Sequence, residues 1–329
     1  MIEDQVQVII ASTNGIHYTD RINKLTSYPR YSLPIKPTSK ENALMLDIGC
    51  GWGRWLVAGT EKNYIPVGLD LIPEFAETSL KVLKAHNKTG YAVVGDLEHI
   101  PFKDNIFDLV WSFSVIQHTH YDKMISCLGH INRILTKEGY TFLEFPNKMG
   151  IRNALGTARK WEKYRDIKSG PRHLSVRYYT PAQYKKFFTS VFGNFSFENH
   201  SFIGIGVLKE DLKYVSLKNK ILCSISLAGS LLTVVIPPLK YLSDSIYIKA
   251  VSNISKSHHS FNDIIKFLSN QSAGSFNNLD VVPLLRCPKS GFGVELSADQ
   301  QKIIVPKAGL WYPIQNNIPH MLADKAGSL

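Results

Sequence analysis

The chain has 329 residues, of which 44% are hydrophobic and 20% charged, and its formal net charge at pH 7 is +11. This composition is typical of a soluble globular protein with room for one large and one small domain. The basic residues are scattered, which argues against a dedicated nucleic-acid-binding tail, while an anionic substrate or a membrane surface remains compatible with the charge.

The four cysteines are widely spaced and form no CxxC pair; they are Cys50, Cys127, Cys223 and Cys287. Such spacing is a poor disulfide framework and predicts a reducing, cytoplasmic environment. The first ten residues, MIEDQVQVII, lack a basic n-region and a proper apolar core. We therefore expect no signal peptide.

Strands and helices are predicted to alternate from Ala43 onward, after an irregular, proline-containing segment 1–40. Short apolar runs predict strands at 43–48, 65–69, 91–94, 107–113, 140–145, 195–202 and 245–251. Helical patterns occupy 73–87, 121–135 and the stretch after Thr180-Pro181 up to Phe192, where threonine is a suitable N-cap. This alternation predicts a doubly wound, mainly parallel α/β sheet covered on both faces.

A glycine-rich loop follows the first predicted strand, with Gly49, Gly51 and Gly53 at alternate positions. Ligands of doubly wound sheets bind beyond the carboxyl ends of the strands, so this loop is an expected nucleotide site. Arg54 occupies the place of the last glycine of a GxGxxG fingerprint, which argues against NAD or FAD. The alternative is that the glycines serve only a tight turn.

Two aspartates end the next two predicted strands. Asp70 lies 21 residues after Gly49, where a carboxylate accepts hydrogen bonds from ribose hydroxyls. Asp96 can accept from an adenine amino group while the Leu97 N–H serves a ring nitrogen. The structural alternative is that Asp70 caps a helix and Asp96 forms a turn. The glycine loop, Asp70 and Asp96 each follow one of three successive predicted strands, and this arrangement favours a ligand site.

The motifs DIGCGWGRW, VGLD, GDLEHIPFKDNIFDLVWSFSVIQHT and GYTFLEFPN together resemble those of class I S-adenosylmethionine-dependent methyltransferases. They are most similar to the branch with ubiquinone and menaquinone biosynthetic enzymes. The resemblance implies a seven-stranded sheet whose last strand is antiparallel, and S-adenosylmethionine as cofactor. It also implies Asp47 near the cofactor's amino group, and Leu71 and Ser112 among the cofactor-binding residues.

Two histidines are candidates for a catalytic base, which methyl transfer requires only if the acceptor must lose a proton. His118 follows the fourth strand, and scaffold and base are equally open roles for it. His173 lies in a polar loop with Arg172 and Arg177, which either holds an anionic acceptor or is simply solvated. The stretch SFSV replaces the NPPY or DPPY motif of the enzymes that methylate amino groups of adenine or glutamine, so O- or C-methylation is favoured.

A long apolar stretch, residues 218–241, is a marginal membrane span because serines and Thr233 interrupt it. Its pattern predicts an amphipathic helix over 218–236 within an insertion 204–244. The apolar positions share one face, which we expect to pack inward, as part of the core or as a lid over an apolar acceptor. They are Ile221, Ile225, Ala228, Leu232 and Val235.

The C-terminal residues 279–329 follow a linker, 253–278, that is predicted to carry one short helix at 261–268. Their pattern LLxCP…GLxYPIxxxIPxML resembles the small zinc-ribbon-like domain of methyltransferase activators. Structural zinc needs four ligands, but only Cys287 is present, and Ser290 stands where its partner is expected. We therefore predict no bound metal and a buried Cys287, with docking, solubility or acceptor recruitment as the role of this unit.

These observations predict a methyltransferase domain at 41–252 acting on a small molecule or a lipid- or sugar-linked intermediate. An RNA methyltransferase and a noncatalytic S-adenosylmethionine-binding scaffold are the alternatives. The scattered charge does not favour nucleic acid. No obligate protein partner is expected, and contact with a membrane surface stays open.

Overall fold

The computed structural model describes residues 32–154, 177–203, 217–253, 267 and 276–329. The α-helices are α1 (Arg54–Thr60), α2 (Pro73–Ala85), α3 (Met124–Ile134), α4 (Ile151–Ala154), α5 (Pro181–Val191) and α6 (Leu217–Val235). The strands are β1 (Leu44–Ile48), β2 (Ile65–Asp70), β3 (Tyr91–Val94), β4 (Phe107–Ser112), β5 (Leu135–Pro146), β6 (Phe195–Ser201), β7 (Ser245–Val251), β8 (Glu295–Leu296), β9 (Lys302–Val305), β10 (Leu310–Gln315), β11 (Ile318–Pro319) and β12 (Gly327–Ser328).

The first seven strands form one sheet in the order β3-β2-β1-β4-β5-β7-β6. β1 pairs in parallel with β2, and β2 with β3, whereas β6 and β7 are antiparallel. The strand order reverses between β1 and β4, which is the topological switch point at which such sheets bind ligands. The predicted seven-stranded α/β fold is confirmed. The main difference is that β5 begins at Leu135 instead of residue 140.

The chain folds into two compact units. The first contains Met1–Trp111, Gly129–Tyr140 and Ser252–Leu329, and the second contains Ser112–Leu128 and Thr141–Val251. In the first unit, every residue of β1 is buried. Helices α1 and α2 cover this region through a cluster of Cys50, Leu56 and Leu83.

The C-terminal segment pairs with the outer strand β3 inside the first unit. Val94 forms a parallel bridge with His320, and the Met321 N–H donates to the Val94 carbonyl oxygen at 2.7 Å. The buried Asn278 side chain accepts from Ala92 N at 2.9 Å and donates to Ala92 O at 3.0 Å. An outer strand exposes unpaired backbone groups, and this segment satisfies them on β3.

Apolar packing and ion pairs extend this contact. Ile318 of β11 is buried in a cluster with Ala76, Ala92 and Val94. Nearby, the Asp104 carboxylate accepts from Arg133 at 2.6 Å and from Arg286 at 2.9 Å. The C-terminal β-rich part therefore shares a core with the end of the sheet that carries β3.

Cys287 is fully buried, as predicted. Its Sγ lies 3.3 Å from Tyr312 Oη and accepts from the Ser290 backbone N–H at 3.3 Å. Within the described ranges, no cluster of three or more His, Cys, Asp or Glu side chains is placed to hold a metal ion. The expected absence of zinc stays a prediction.

Helix α5 in the second unit begins at the predicted N-cap, Thr180, and the structure shows a complete capping box there. The Thr180 hydroxyl accepts from Gln183 N, and the Gln183 side chain accepts from Thr180 N. Tyr184 and Phe188 of this helix are buried. Phe145 of β5 packs against both rings, with centroid distances of 4.6 and 5.9 Å.

Helix α6 forms where predicted, but the expectation that its apolar face packs inward is wrong. Its small and polar side chains Cys223, Ser226 and Thr233 are buried, and its aliphatic side chains are largely exposed. The exposed ones include Ile221 (57%), Ile225 (51%), Leu232 (51%) and Val235 (78%). Small side chains pack inward here because their hydroxyls find acceptors on the helix or on the chain after β6. None of the described helices is long and apolar enough to cross a membrane.

Candidate cofactor site

The loop at residues 49–53 joins β1 to α1 and has positive φ at all three glycines, 73° at Gly49, 51° at Gly51 and 87° at Gly53. A Cβ on Gly53 would lie 2.9 Å from the Cα of Ser79, so packing on α2 requires glycine there. A Cβ on Gly51 would meet no heavy atom within 4 Å. Packing therefore explains Gly53, while the space beside Gly51 is open to a ligand.

Asp70 ends β2 and ties the glycine loop to the start of α2. Its Oδ2 accepts from the Gly51 N–H at 2.9 Å and its Oδ1 accepts from the Ile72 N–H at 3.0 Å. Burial raises its pKa to about 6, although the hydrogen bonds from Ile72 and Gly51 act in the opposite direction. Asp70 therefore links two loops but does not cap α2, whose N-cap is Ile72 without a side-chain bond. Each carboxyl oxygen retains a further lone pair for a ligand.

Asp47 is the most unusual polar residue of the site because it lies inside a fully buried strand. Neither carboxyl oxygen has a hydrogen-bond partner in the part of the chain that the structure describes. Burial raises its pKa to about 8, opposed by the positive charge of Arg54 and assisted by the negative charge of Asp70. Buried polar groups normally have hydrogen-bond partners, because burial without one costs free energy. A cationic ligand group beside Asp47 would therefore stabilise this carboxyl group.

Asp96 follows β3, and the Gly95 N–H before it donates to the Asp70 carbonyl oxygen at 2.9 Å. That bond aligns the ends of β2 and β3. The Asp96 side chain accepts from Glu98 N at 3.0 Å and caps a 3₁₀ helix, Leu97–His99. The turn-forming role is thus observed, and the contacts of Asp96 and Leu97 with an adenine ring stay predictions. Leu71, beside Asp70, is half-buried.

The remaining predicted residues belong to the second unit. Ser112 is buried at the end of β4. His118 ends a 3₁₀ helix, Ile116–His118, and its carbonyl oxygen accepts from the Arg177 guanidinium at 2.7 Å. One nitrogen of the Arg177 guanidinium is thus bonded to the backbone and not directed toward a methyl acceptor. His173 lies outside the described residues.

A buried acid that the sequence analysis did not single out also lies in the second unit. Glu144 of β5 is 4% exposed and accepts from the Ser114 hydroxyl at 2.7 Å and from the Ser245 hydroxyl. Ser114 has a φ of 57°, an uncommon conformation for a residue with a side chain. The available signal was a glutamate within the apolar strand sequence FLEF.

Comparison with known proteins gives a match for the region that carries these residues. Residues 46–143 match a family model described as a methyltransferase domain. An uncharacterized protein of Methanocaldococcus jannaschii is 30% identical over 139 residues, 42% of this chain and 53% of that protein. Demethylmenaquinone methyltransferase of Staphylococcus aureus (strain JH9) is 30% identical over 129 residues, 36% of this chain and 52% of that enzyme.

The chain thus spans about half the length of these two relatives. Among solved structures, a SAM-dependent methyltransferase of Thermotoga maritima has 15% identity and a TM-score of 0.44, covering 65% of this chain and 84% of that one. The sheet has the strand order of the class I methyltransferase fold, and the family match over residues 46–143 supports S-adenosylmethionine as the cofactor. In this chain the matched residues 46–143 include Asp47, the glycine loop, Asp70 and Asp96.

Proposed function

We propose that this protein is an S-adenosylmethionine-dependent methyltransferase that modifies an oxygen or carbon atom of a small molecule or a lipid- or sugar-linked intermediate. The observation that carries the proposal is Asp47, a buried carboxyl with no partner among the described residues. The amino group of S-adenosylmethionine is a cation of the kind that such a carboxyl requires.

The cofactor, when bound, supplies a methyl group on a sulfonium, which is a good leaving group. Asp47 accepts hydrogen bonds from the cofactor's ammonium group, and Asp70 accepts from its ribose hydroxyls. Asp96 and the Leu97 N–H hold the adenine ring. Gly51 leaves room for the ligand beside the backbone, because no side chain fills that space. The protein's contribution is mainly positioning, which suffices for an in-line displacement.

The acceptor class is supported by two features of the chain. The sequence SFSV after β4 lacks the motif of amino-methylating enzymes, and the similarity to demethylmenaquinone methyltransferase favours placement near the quinone-methylating branch. His118 and His173 are the proposed bases if the acceptor must lose a proton. The net positive charge is compatible with an anionic carrier or headgroup on the acceptor.

The domain boundaries proposed from the sequence are 41–252 for the methyltransferase domain and 279–329 for a small activator-like unit without zinc ligands. The fully buried Cys287 supports the proposal that this unit is held together mainly by its apolar residues, since a zinc ligand requires partners that the sequence lacks. Its contact with β3 supports a role in maintaining the end of the sheet that precedes Asp96.

Calorimetry with S-adenosylmethionine and S-adenosylhomocysteine tests the proposal on the full chain. We expect a dissociation constant in the micromolar range, about −8 kcal/mol. Asp70→Asn keeps the shape of the side chain but removes its charge, and we expect it to weaken binding by about tenfold or more. The matched control is Asp299→Asn, since Asp299 bonds only to nearby exposed residues of the C-terminal part in the contacts described.

Unchanged binding by Asp70→Asn, or no binding by the wild type, would contradict the cofactor assignment. A wild type that binds the cofactor but transfers no methyl group to quinone, lipid-linked, sugar-linked or RNA acceptors would instead support the scaffold alternative. Methylation of RNA alone would replace the proposed acceptor class.

A further inference from the structure

Helix α6 is held in the second unit by its small polar face. The Ser226 hydroxyl accepts from the Ile203 N–H at 3.0 Å and donates to the Ile203 carbonyl oxygen at 3.1 Å. Gly229 allows the ring of Phe202 to approach so closely that a Cβ would lie 2.3 Å from its Cδ1. These contacts fix the rotation of the helix about its axis, so the opposite face must point away from β6.

That opposite face is largely aliphatic, with the exposed Ser224 and Ala228 near its middle. The positions at helical spacing are Leu217, Ile221, Ile225, Leu232 and Val235, and Leu231 and Val234 flank them with exposures of 70% and 77%. A helix of 19 residues extends for about 28 Å, so the aliphatic face is of that length. Soluble monomers rarely expose an apolar surface of this extent without a use for it.

The charged residues of the helix and of the turn that follows it are all lysines. Residues 213–243 contain four lysines and no aspartate, glutamate or arginine. Lys220 is exposed near the start of α6. Beyond its end, the Lys240 ammonium lies 5.6 Å from the centroid of the Tyr241 ring. An aliphatic face with lysines at both ends and an aromatic ring beside one of them is typical of a helix that lies at the surface of an anionic membrane.

We propose that α6 and the following turn, Pro237–Leu242, bind the surface of an anionic lipid bilayer. The aliphatic face enters the region between headgroups and acyl chains, and the lysine side chains extend to the phosphate groups. The helix lies parallel to the membrane plane, because its small polar face is held along its side against the chain after β6. We favour a lipid surface over a second copy of the chain because all charged residues in this region are lysines. In a dimer formed through α6, the lysines of one copy would lie near those of the other and repel them.

Flotation of the full chain with vesicles tests this inference. One set of vesicles is phosphatidylcholine alone, and the other contains about 30 mol% phosphatidylglycerol. We expect the wild type to float with the anionic vesicles and to bind less in high salt. The triple variant Ile221→Ser, Leu232→Ser, Val235→Ser should lower the partition coefficient by about tenfold or more.

A charge variant and a control variant separate the electrostatic from the apolar contribution to vesicle binding. Lys220→Glu with Lys240→Glu should abolish the preference for phosphatidylglycerol. The matched control is Met149→Ser, Phe292→Ser, Leu329→Ser, which removes three exposed apolar side chains outside α6 and should bind like the wild type. If the first triple variant melts at a lower temperature than this control, a double variant replaces it. Val234→Asp with Val235→Asp changes the two most exposed large apolar positions of α6, and it should also lower vesicle binding.

A wild type that stays unbound with both kinds of vesicle would overturn the proposal, as would equal flotation of the wild type and the α6 variants. A wild-type dimer that the triple variant converts to a monomer, without vesicle binding, would assign the face to a second copy and also overturn it. The vesicle assay contains no cofactor or acceptor, so its failure and that of the methyltransferase proposal are distinguishable.

Discussion

The C-terminal segment and α6 use similar aliphatic residues in opposite ways. In the C-terminal segment, aliphatic side chains such as Leu284, Val305 and Ile318 face inward, and Ile318 is 1% exposed in its cluster beside β3. In α6 the aliphatic side chains face outward, and Leu232 is 51% exposed. The difference arises from where the polar groups find partners. Asn278 bonds to the backbone of β3, whereas Ser226 bonds to the backbone after β6.

Helical periodicity identifies two faces but does not say which of them lies inside. An apolar face is buried only where another apolar surface meets it, and a serine face can be buried when each hydroxyl has a partner. In α6 the Ser230 hydroxyl donates to the Ser226 carbonyl oxygen and the Thr233 hydroxyl to that of Ser230. The helix itself therefore satisfies much of its small polar face.

The largest expected difference between the two regions is in the cost of truncating a branched aliphatic side chain. Ile318→Ala should lower the free energy of unfolding by about 2–5 kcal/mol because it leaves a cavity in the cluster beside β3. Leu232→Ala should change it by no more than about 0.5 kcal/mol, as is usual at an exposed position. Urea unfolding followed by circular dichroism measures both, and equal losses would show that α6 packs inward after all.

Asn278 tests the polar part of the C-terminal contact. Asn278→Ala leaves the buried N–H and carbonyl of Ala92 without their partner, which should cost about 3 kcal/mol. Gln301→Ala serves as the control, since Gln301 is exposed and its side chain bonds only to the Asp299 carbonyl oxygen, at 3.5 Å, in the contacts described. Its expected change is within about 0.5 kcal/mol. Similar midpoints of unfolding for the two variants would show that the hydrogen bonds of Asn278 do not stabilise the contact between the C-terminal segment and β3.

The smallest expected effect concerns the inward face of α6. Ser226→Ala removes the acceptor of the Ile203 N–H and should cost about 1 kcal/mol. Ser224→Ala, at an exposed position of the same helix, should be neutral and controls for helix propensity. A Ser224→Ala variant that is destabilised as much as Ser226→Ala would indicate that the helix is rotated away from the orientation in which Ser226 meets Ile203.

Much of the fold followed from local sequence patterns. The apolar runs of β1 to β3, the glycine loop after β1 and the Thr180 cap all depend on neighbouring residues, so the sequence predicted them closely. The inward face of α6 depends on Ile203 and Phe202, and the docking of the C-terminal segment depends on Ala92, about 190 residues before Asn278. Contacts of this range leave no local periodic signal.

Some residues of the candidate site could likewise be predicted from the sequence, and others could not. The spacing of Gly51, Asp70 and Asp96 along three strands was visible in the sequence, because strand ends of a parallel sheet meet at one edge. The lack of a hydrogen-bond partner for Asp47 among the described residues was not visible, since the sequence does not show how deeply an acid in an apolar strand is buried or which groups surround it. Glu144 was missed for the same reason, as its serine partners lie 30 and 101 residues away.

The pH dependence of cofactor binding tests the role of Asp47 most directly. With a pKa of about 8, this carboxyl is largely protonated in the free protein below that pH, and it must ionise to pair with the cofactor's ammonium group. Calorimetry between pH 6 and about 7.5, where an α-amino group is still mostly protonated, avoids titration of the ligand. The association constant should rise with pH by up to about tenfold per unit, with about one proton released per cofactor bound. Asp47→Asn should bind more weakly and, above about pH 6.5 where Asp70 is mostly ionised, without this slope. A wild type with constant affinity and no proton release over this range, or an Asp47→Asn variant that binds as the wild type does, would contradict the account.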